Sequence, residues 1–398
     1  SRNGRGASVP LVEAVKRGGV KIPVWTACRL DPMLGEEYLQ KGSLDFVGMT
    51  RRLLADPDLP NKAKEGRIND IRWCNGCLYC FDCRNRNQVL ACRTNPYLGK
   101  EHLPEFQIKP AQKKKKVLVI GGGPSGMEAA RVTAQRGHYV TLYEKNSYLG
   151  GLVPLAAIVK DLETEDMTMF VRYLATQLKK EGVKVRLKTE VTSQIIQRER
   201  PDVLIIASGA AHGKINVSGA DNPKVINTEK LHGMLKFMLK FFTSAQLEKL
   251  SKIWIPVGKS VVIMGGTLHG CELAEYLVKR RRRVTMVHNG PEKELGDRMT
   301  IDDIVSLWPW LKQNNVSIWS DIEYRSISDK GLEISLKDKR RYILRGKNII
   351  STQDWEPDNS IVERFKELVP EVHIIGSCKE PGLIVDAMRD GAKVGCEI

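Results

Sequence analysis

The spacing of apolar and polar positions first separates residues 1–65 from the rest of the chain. Two short runs rich in β-forming residues, at 21–29 and 44–52, are each followed by a stretch whose apolar positions recur at helical spacing. Two strands cannot form a stable sheet by themselves. We therefore predict that this block is the last part of a larger barrel or sheet.

A different pattern begins at residue 116 and occurs twice. Strand, glycine-rich turn, helix and second strand follow one another in KVLVIGGGPSGMEAARVTAQRGHYVTLYEK and, about 145 residues later, in SVVIMGGTLHGCELAEYLVKRRRRVTMVHN. Two copies of one βαβ unit predict two Rossmann-type nucleotide-binding domains. We place the first at 116–225 and 350–398, and the second, inserted into it, at 226–349.

The first repeat has complete G-x-G-x-x-G spacing, at Gly121, Gly123 and Gly126. These glycines permit a tight turn, a close approach of the backbone to a pyrophosphate, and close packing of helix on strand. Glu144 ends the second strand, where a carboxylate can accept hydrogen bonds from ribose hydroxyls. The pattern predicts a dinucleotide site, in preference to a purely structural glycine-rich turn.

The second repeat departs from this spacing. Between Gly265 and Gly270, the middle glycine is replaced by Thr267, whose branched side chain stands where backbone should meet pyrophosphate. His288 occupies the position at which an acid would select NAD. This favours NADP, or no nucleotide at all. Arg280–Arg283 could reach a 2′-phosphate, although a solvated helix end is the simpler interpretation.

Residues 66–115 follow neither pattern and end in a lysine-rich run that we interpret as a linker. Zinc sites usually pair two C-x2-C knuckles across a longer loop, whereas uninterrupted C-x2-C steps are closer to the turns around an iron–sulfur cluster. Neighbouring dinucleotide-binding domains favour the cluster, which carries electrons, and zinc stays the alternative. The cysteines of this segment are Cys74, Cys77, Cys80, Cys83 and Cys92.

Composition narrows the class of protein. With 42% hydrophobic and 28% charged residues, the 398-residue chain is globular rather than disordered, and it contains no apolar run long enough to span a bilayer. Clustered cysteines indicate a reducing, cytoplasmic compartment. The net charge of +16 is accompanied by no zinc-finger, RRM or helix-turn-helix signature, so we expect anionic cofactors and substrates rather than nucleic acid. The chain does not begin with Met, and an upstream segment is expected.

One segment, residues 231–259, alternates apolar and basic residues at helical spacing. A lid or a core helix pair is the favoured interpretation. The alternative is a helix that lies on a membrane or covers a partner.

In this order, the segments resemble the iron–sulfur flavoenzymes of the 2,4-dienoyl-CoA reductase and trimethylamine dehydrogenase type. The resemblance covers essentially the whole chain and is carried by DFVGMTRRLLADPDLPNKAKEGR, CNGC with ACRTNP, VIGGGPSGMEAA, GCELAEYL and IIGSCKEPGLIVDAMRDGAKV. It implies an α/β fold: the tail of an FMN-binding TIM barrel (1–65), a cluster segment with its linker (66–115), an FAD domain and an inserted NAD(P)-binding-like domain.

The resemblance also implies the site residues. Arg29, Thr50 and Arg51 match the FMN-binding positions, and Ser377 stands where the family often has Asp. Cys83 is then spare, although Cys83 in place of Cys80 stays open. The cluster ligands are Cys74, Cys77, Cys80 and Cys92; the FAD residues are Gly121, Gly123, Pro124, Ser125, Gly126, Glu144, Gly150, Gly151, Gly209, Gly376 and Ser377; and the nicotinamide residues are Gly265 and Gly270.

The implied activity is that of an NAD(P)H:flavin oxidoreductase. Electrons would pass from NAD(P)H through FAD and a 4Fe-4S cluster to FMN and reduce the C=C bond of an enoate or enoyl-CoA. Two alternatives stay open: an amine dehydrogenase that donates to an electron-transfer protein, and a truncated, non-catalytic electron-transfer subunit. The catalytic proton donor would lie upstream of this chain, and a homo-oligomer stays open.

Overall fold

The computed structural model describes residues 4–160, 166–213, 215–226, 228–352, 355–358 and 360–398. The chain is an α/β protein that divides into two compact units. Unit 1 comprises the described residues of Ser1–Pro154, Asp161–Gly209 and Pro357–Ile398. Unit 2 comprises those of Leu155–Lys160 and Ala210–Glu356.

Residues 4–115 contain short helices and two short strands, joined by turns and irregular segments. Their elements are α1 (Val9–Arg17), β1 (Trp25–Thr26), α2 (Pro32–Gln40), β2 (Phe46–Val47), α3 (Thr50–Ala55), α4 (Leu59–Lys64) and α5 (Tyr79–Asn85), with 3-10 turns at Ile68–Asp70 and Pro104–Phe106.

The next residues, up to 209, contain the first glycine repeat. Their elements are β3 (Lys116–Ile120), α6 (Pro124–Gln135), β4 (Tyr139–Tyr143), α7 (Val153–Val159), α8 (Met167–Lys180), β5 (Lys184–Arg186), α9 (Ser193–Glu199) and β6 (Val203–Ile206).

The second repeat lies in the segment that follows. Its elements are β7 (Ala210–His212), β8 (Val225–Ile226), α10 (Thr228–Met238), α11 (Ser244–Ile253), β9 (Ser260–Met264), α12 (Leu268–Val278), β10 (Arg283–Val287), α13 (Ile301–Gln313), β11 (Ser317–Trp319), β12 (Ile322–Ser328), β13 (Gly331–Leu336), β14 (Arg341–Leu344), β15 (Asn348–Ser351) and β16 (Trp355–Pro357). The chain ends with α14 (Ser360–Phe365), β17 (Glu371–Ile374) and α15 (Ile384–Glu397).

A parallel sheet with strand order β17–β6–β3–β4–β5 forms the centre of unit 1. The strands β3 and β6 are apolar and almost wholly buried, as expected for parallel strands that are covered on both faces. In unit 2, β11–β10–β9–β15–β8 form a second parallel sheet, beside the antiparallel sheet β12–β13–β14. Each glycine turn therefore follows a central strand of its own parallel sheet.

The last helix, α15, packs against α6 at unusually close range. A Cβ atom at Gly391 would clash with the carbonyl oxygen of Ser125, and one at Gly395 would lie 2.6 Å from Cβ of Val132. Because these two glycines are four residues apart, they lie on one face of α15. The C-terminal helix thus fixes the helix that begins at the first glycine turn.

The strands β1 and β2 form a short parallel pair with an uncovered apolar side. Trp25 pairs with Phe46, and their stacked ring centroids lie 5.8 Å apart. These side chains are 54% and 49% exposed, while Val9, Leu30 and Leu44 form a small core behind them. The described residues therefore leave large aromatic surface in water at this pair.

The segment 231–259 forms most of α10 and all of α11, but it is not a core helix pair. Phe241, Ile253 and Trp254 are exposed, whereas Leu247 is buried. The expectation of a core pair is therefore wrong for the outer side of these helices, while the other favoured interpretation, a lid, stays a prediction. None of the helices in the described ranges is long and apolar enough to cross a membrane.

Candidate functional site

The first glycine turn, between β3 and α6, has space for a ligand at one position only. Gly121 has φ +105°, and a Cβ atom there would clash with the carbonyl oxygen of Ala207. At Gly126, a Cβ atom would clash with the carbonyl oxygen of Gly121. At Gly123, in contrast, an added Cβ atom meets nothing within 4 Å. The backbone is therefore open to a pyrophosphate beside Gly123, as the sequence predicts.

Glu144 holds the turn in place. Its Oε2 accepts a hydrogen bond of 2.8 Å from the N–H of Gly122, and its Oε1 accepts bonds from the backbone N–H and side-chain amide of Asn146, at 2.7 and 2.6 Å. A carboxylate has about four lone-pair positions, so acceptor capacity remains for ribose hydroxyls. Asn146 is not among the residues predicted from the sequence, where its only signal is its place two residues after the acid.

The predicted pair Gly150–Gly151 closes the other side of the turn. Gly150 donates its N–H to the carbonyl oxygen of Gly122 at 2.7 Å. Both residues have positive φ, and a Cβ atom at Gly151 would lie 3.1 Å from Cα of Gly123. Only glycine allows this close approach without displacement of the turn.

The predicted residues near the C-terminus also reach this turn. A Cβ atom at Gly376, which has φ +66°, would clash with the hydroxyl of Ser125. The N–H of Gly376 donates to Asp390 in α15 at 3.2 Å. Asp390 is not among the residues predicted from the sequence, because its role depends on a contact that only the folded chain creates.

Two buried hydroxyls beside the turn have no hydrogen-bond partner among the described residues: Tyr148 and Ser208. Ser208 follows Ala207, whose carbonyl oxygen leaves no room for a side chain at Gly121. Burial and the negative charge of Glu144 raise the pKa of Tyr148 to about 12. Unpaired buried donors are costly, so these hydroxyls fit a polar ligand at this place.

The second glycine turn, between β9 and α12, has the same arrangement of glycines as the first, but a weaker hydrogen bond holds it. Gly265 has φ +116°, and a Cβ atom at Gly270 would clash with the carbonyl oxygen of Gly265. At the position of Glu144 stands His288, whose Nδ1 accepts from the N–H of Gly266 at 3.4 Å, beyond the usual range for such bonds. The fold of the turn is preserved without its acid.

The second turn also offers a pyrophosphate less space and fewer donors than the first. Gly296 donates its N–H to the carbonyl oxygen of Gly266 at 2.8 Å, just as Gly150 does in the first turn. The next residue, however, is Asp297 instead of a glycine. The carbonyl oxygen of Asp297 accepts the N–H of Leu268, at the start of α12, at 3.1 Å. Together with Thr267 at the helix N-cap, this leaves less space and fewer donors for a pyrophosphate.

Four of the clustered cysteines influence one another electrostatically. Burial raises the pKa of Cys77 to about 11, against the opposing charge of Arg93, and the charges of Cys92 and Cys74 raise it further. The pKa of Cys80 is likewise raised to about 11 by burial and by the charges of Cys92 and Cys74. The structure thus groups the cysteines that the resemblance assigns as ligands.

Cys83 has different neighbours. It is buried, and its charge acts on Tyr79 and Lys100. Among the residues described, no three His, Cys, Asp or Glu side chains are placed so that they could hold a metal ion. In a 4Fe-4S cluster each thiolate binds a different iron, which is a different spacing requirement from four ligands on one ion.

A cleft of about 120 Å³ lies next to these cysteines and brings together the three predicted phosphate-site residues. Cys28 and Arg29 both have positive φ, +114° and +58°, a strained conformation that often marks functional sites. The cleft is lined by Ala27, Cys28, Arg29, Leu30, Gly48, Met49, Thr50, Arg51, Arg52, Cys74 and Gly76.

Adjacent arginines in this cleft have different partners. Arg52 is buried, donates to the carbonyl oxygen of Leu30 at 2.6 Å, and lies 3.6 Å from Asp31. Arg51 has a buried Nη1 with no partner in the described part of the chain. Burial lowers the pKa of Arg29, and the positive charges of Arg5 and Arg51 lower it further. The cleft therefore fits an anion at Arg51 and Arg29.

A buried network ties the cysteine segment to α6. Arg131 donates to Glu128 at 2.7 and 2.9 Å and to the hydroxyl of Tyr97 at 2.8 Å. The guanidinium of Arg72 lies over the ring of Tyr97 and donates to Asn95 at 2.9 Å. Burial alone would raise the pKa of Glu128, but the charge and hydrogen bonds of Arg131 prevail, and the pKa lies below its ordinary value.

Two parallel sheets, each with a strand, a glycine turn and a helix, place the chain in the class of two-domain dinucleotide-binding proteins. Residues 115–350, more than half of the chain, match the family model of the pyridine nucleotide-disulphide oxidoreductases. This is the segment in which both glycine turns lie.

Similar individual proteins indicate to which branch of this family the chain is related. The NADH oxidase of Thermoanaerobacter brockii is 32% identical over 406 residues, with all of this chain and 58% of the oxidase aligned. The cinnamate reductase of Clostridium sporogenes is 30% identical over 405 residues, with 99% of this chain and 56% of the reductase aligned. A solved 2-naphthoyl-CoA reductase superimposes with a TM-score of 0.88 at 32% identity, over 100% of this chain and 57% of the reductase.

The chain belongs to the pyridine nucleotide-disulphide oxidoreductases and, among them, to the flavin oxidoreductases of the 2,4-dienoyl-CoA reductase and trimethylamine dehydrogenase type. It spans somewhat more than half the length of the relatives it matches. The membership predicted from the sequence is confirmed.

The buried network generates a prediction about stability. Glu128→Gln leaves Arg131 buried without its counter-charge, and we expect the free energy of unfolding to fall by about 3–5 kcal/mol. Because the pKa of Glu128 is lowered in the folded state, its contribution is complete above the ordinary value of 4.5 and is lost as pH falls through the lowered pKa. Denaturant unfolding of both proteins across this acidic range measures the effect.

The control is Glu363→Gln, which removes a carboxylate from an exposed pair with Lys366. Such surface pairs contribute at most about 1 kcal/mol. If Glu128→Gln were no less stable than Glu363→Gln, the network would not have the role given to it here.

Proposed function

We propose that this chain is the cofactor-carrying C-terminal part of a flavin-dependent iron–sulfur oxidoreductase that links NAD(P)H to reduction of the C=C bond of an enoate or enoyl-CoA. The observation that carries the proposal is the cleft in which Arg29, Thr50 and Arg51 meet Cys74. An anion-binding wall and a thiol of the cysteine group line the same space. This combination suits an FMN phosphate next to an iron–sulfur cluster.

In this proposal, Cys74, Cys77, Cys80 and Cys92 hold a 4Fe-4S cluster. The nearby backbone N–H groups of Tyr79 and Phe81 lower the pKa of Cys77 and of Cys80, against the larger effect of burial, and would favour their thiolate forms. When bound, the cluster supplies one-electron transfer. The chain contributes the thiols and the surrounding arginine charge.

FAD fits the first glycine turn. The open side of Gly123 can admit the pyrophosphate, and the remaining lone pairs of Glu144 can accept ribose hydroxyls. The unpaired hydroxyls of Tyr148 and Ser208 offer further hydrogen bonds. When bound, the flavin supplies hydride and single-electron chemistry, which the protein itself lacks.

The strands β1 and β2 are proposed to be the last strands of an FMN-binding barrel. Their aromatic side chains, Trp25 and Phe46, are half exposed in the described structure. Neighbouring strands and helices of a barrel would cover such surface. The substrate class follows from the relatives, since the printed names include a cinnamate reductase and a 2-naphthoyl-CoA reductase.

The first test concerns FAD. Gly123 has φ −75°, which any residue adopts, so Gly123→Ala is expected to fold. Its methyl group would occupy the space proposed for the pyrophosphate, and we expect FAD affinity to fall about tenfold, or about 1.4 kcal/mol. Flavin fluorescence on titration of the flavin-free protein measures this.

Variants at two other glycines distinguish a loss of FAD binding from a loss of folding. In Gly233→Ala the added methyl also meets nothing within 4 Å, and FAD affinity should not change. In Gly121→Ala the clash with Ala207 should reduce folding and FAD binding together. Unchanged FAD affinity in Gly123→Ala would show that this turn is not the flavin site.

The second test concerns the metal. We expect Cys92→Ser to lose iron and acid-labile sulfide from the purified protein, because one cluster ligand is removed. Cys83→Ser is the matched control, because Cys83 is just as buried but couples to Tyr79 and Lys100 instead. It should keep its full iron and sulfide content. Stoichiometric zinc in place of iron, or cluster loss in Cys83→Ser, would contradict this assignment.

One observation favours a second function, an amine dehydrogenase that needs no nicotinamide and donates to an electron-transfer protein. In the second turn, Thr267 and Asp297 replace two glycines of the first, and the N–H of Leu268 is already bonded. These features oppose a bound pyrophosphate at that turn.

Anaerobic titration with NADH and with NADPH distinguishes the two functions. The reductase proposal expects the flavin absorbance to bleach with at least one of them, and Thr267→Gly to lower the concentration that is required, because a side chain leaves the pyrophosphate position. Bleaching by an amine substrate, and by neither nicotinamide, would favour the dehydrogenase instead.

A further inference from the structure

The helical hairpin of α10 and α11 carries exposed apolar side chains that neither glycine turn uses. Ile253 is 86% exposed, and Phe241 and Trp254 are each 68% exposed. Single exposed apolar residues are normal, but a contiguous group marks an interaction site. The complete set of large exposed apolar residues in this hairpin is Phe237, Phe241, Phe242, Leu250, Ile253 and Trp254.

Two of these side chains lie on one face of α11, because Leu250 and Ile253 are three residues apart. Trp254 directly follows the last residue of α11 and has an extended backbone. Leu247 and Ser251 are buried and mark the face by which α11 packs on its unit. The apolar residues therefore form a stripe that continues from the buried face into solvent.

The helix α11 is held firmly. The guanidinium of Arg280 donates to the hydroxyl of Ser251 at 2.7 and 2.9 Å and lies 3.7 Å from Glu248. At its other end, α11 begins with a capping box between Thr243 and Gln246. The exposed stripe is therefore a fixed feature of the surface rather than a frayed helix.

Positive charge surrounds the stripe. In segment 231–259 the only acid is Glu248, and it is paired with Lys252 at 3.0 Å and with Arg280. The nearby Lys240 lies over the ring of Phe237. The lysines of the segment are Lys236, Lys240, Lys249, Lys252 and Lys259.

We propose that the α10–α11 hairpin is a docking surface for an anionic lipid bilayer. Aromatic and aliphatic side chains would enter the interfacial region, while the lysines meet the lipid head groups. An amphipathic helix with Phe, Trp and Leu on one face and Lys beside it is the arrangement that lies in the plane of such an interface. Phe241 and Trp254 flank α11, whose ten residues span about 15 Å, so the helix would lie flat.

The charge pattern opposes a second copy of the chain as the occupant. Two copies facing each other through this surface would bring lysines against lysines, with Glu229 and Glu248 as the acids between Thr228 and Ile253 on each side. Like charges at an interface disfavour association. The surface of an anionic bilayer supplies the missing negative charge.

Vesicle binding by the full chain with its cofactors tests the proposal. We expect sedimentation with vesicles of phosphatidylcholine mixed with phosphatidylglycerol, but not with phosphatidylcholine alone. Salt should weaken the binding, because it screens the lysines. Lys249→Gln with Lys252→Gln should lower the partition coefficient about fivefold for each lysine. Trp254→Ser should lower it about tenfold, because the buried apolar area is lost.

Matched controls lie in the other unit. Lys179→Gln with Lys184→Gln removes the same charge from exposed positions, and Leu11→Ser removes another exposed apolar side chain. Both should bind like the unchanged chain. Because every changed residue is exposed, circular dichroism should show unchanged folding.

Several results would overturn the proposal. These are no binding to the anionic vesicles, equal binding to phosphatidylcholine alone, or equal losses in the control variants. A concentration-dependent dimer that Trp254→Ser abolishes, without vesicle binding, would assign the surface to a second copy. Selective binding to an acidic protein, again without vesicle binding, would assign it to a protein partner.

Discussion

At the first glycine turn, backbone segments lie so close to one another that there is no room for side chains at the contact positions. Three carbonyl oxygens stand where a Cβ atom would otherwise be. The oxygen of Ala207 excludes a side chain at Gly121, that of Gly121 excludes one at Gly126, and that of Ser125 excludes one at Gly391. These contacts bind β3, β6, α6 and α15 into one body. The positions of Glu144, the closing glycine pair and the Gly376 turn all follow from that body, because each bonds to or contacts the turn.

A second constraint connects this body to the cysteine segment. Arg72 and Asn95 stand close in sequence to Cys74 and Cys92, and Arg72 stacks on Tyr97, which shares the buried network with Glu128 and Arg131 on α6. The loops that carry the thiols are thereby anchored to the helix of the glycine turn. An electron carrier and a flavin would need a fixed separation of this kind, and polar contacts in a low-dielectric interior supply it.

Sequence reasoning succeeded where the determinants are local and failed where folding creates the contact. The glycine spacing of residues 121–126 and the acid at Glu144 belong to one βαβ unit, so their pattern is readable along the chain. Asp390 and Asp297 were missed because their partners lie elsewhere in the sequence. Cys83 has the same sequence interval as its neighbours but different surroundings, which spacing alone does not indicate. The family resemblance, rather than spacing, assigns Arg51 and not Arg52 to the phosphate, and this assignment stays a prediction.

Comparison of the two glycine turns distinguishes two reasons for a glycine, which a single turn would not reveal: close packing of the backbone, and space for a ligand. Gly121 and Gly265 are both retained, because a carbonyl or hydroxyl oxygen stands where a Cβ atom would be. Gly123 and Gly151, in contrast, have Thr267 and Asp297 as their counterparts, and the second turn still forms. Both turns therefore need the first kind of glycine in order to fold. At Gly123 no neighbour excludes a side chain, and the second turn forms with Thr267 at the equivalent position. The chain thus contains the same turn twice, once with a glycine and once with a side chain at the position proposed to meet the ligand.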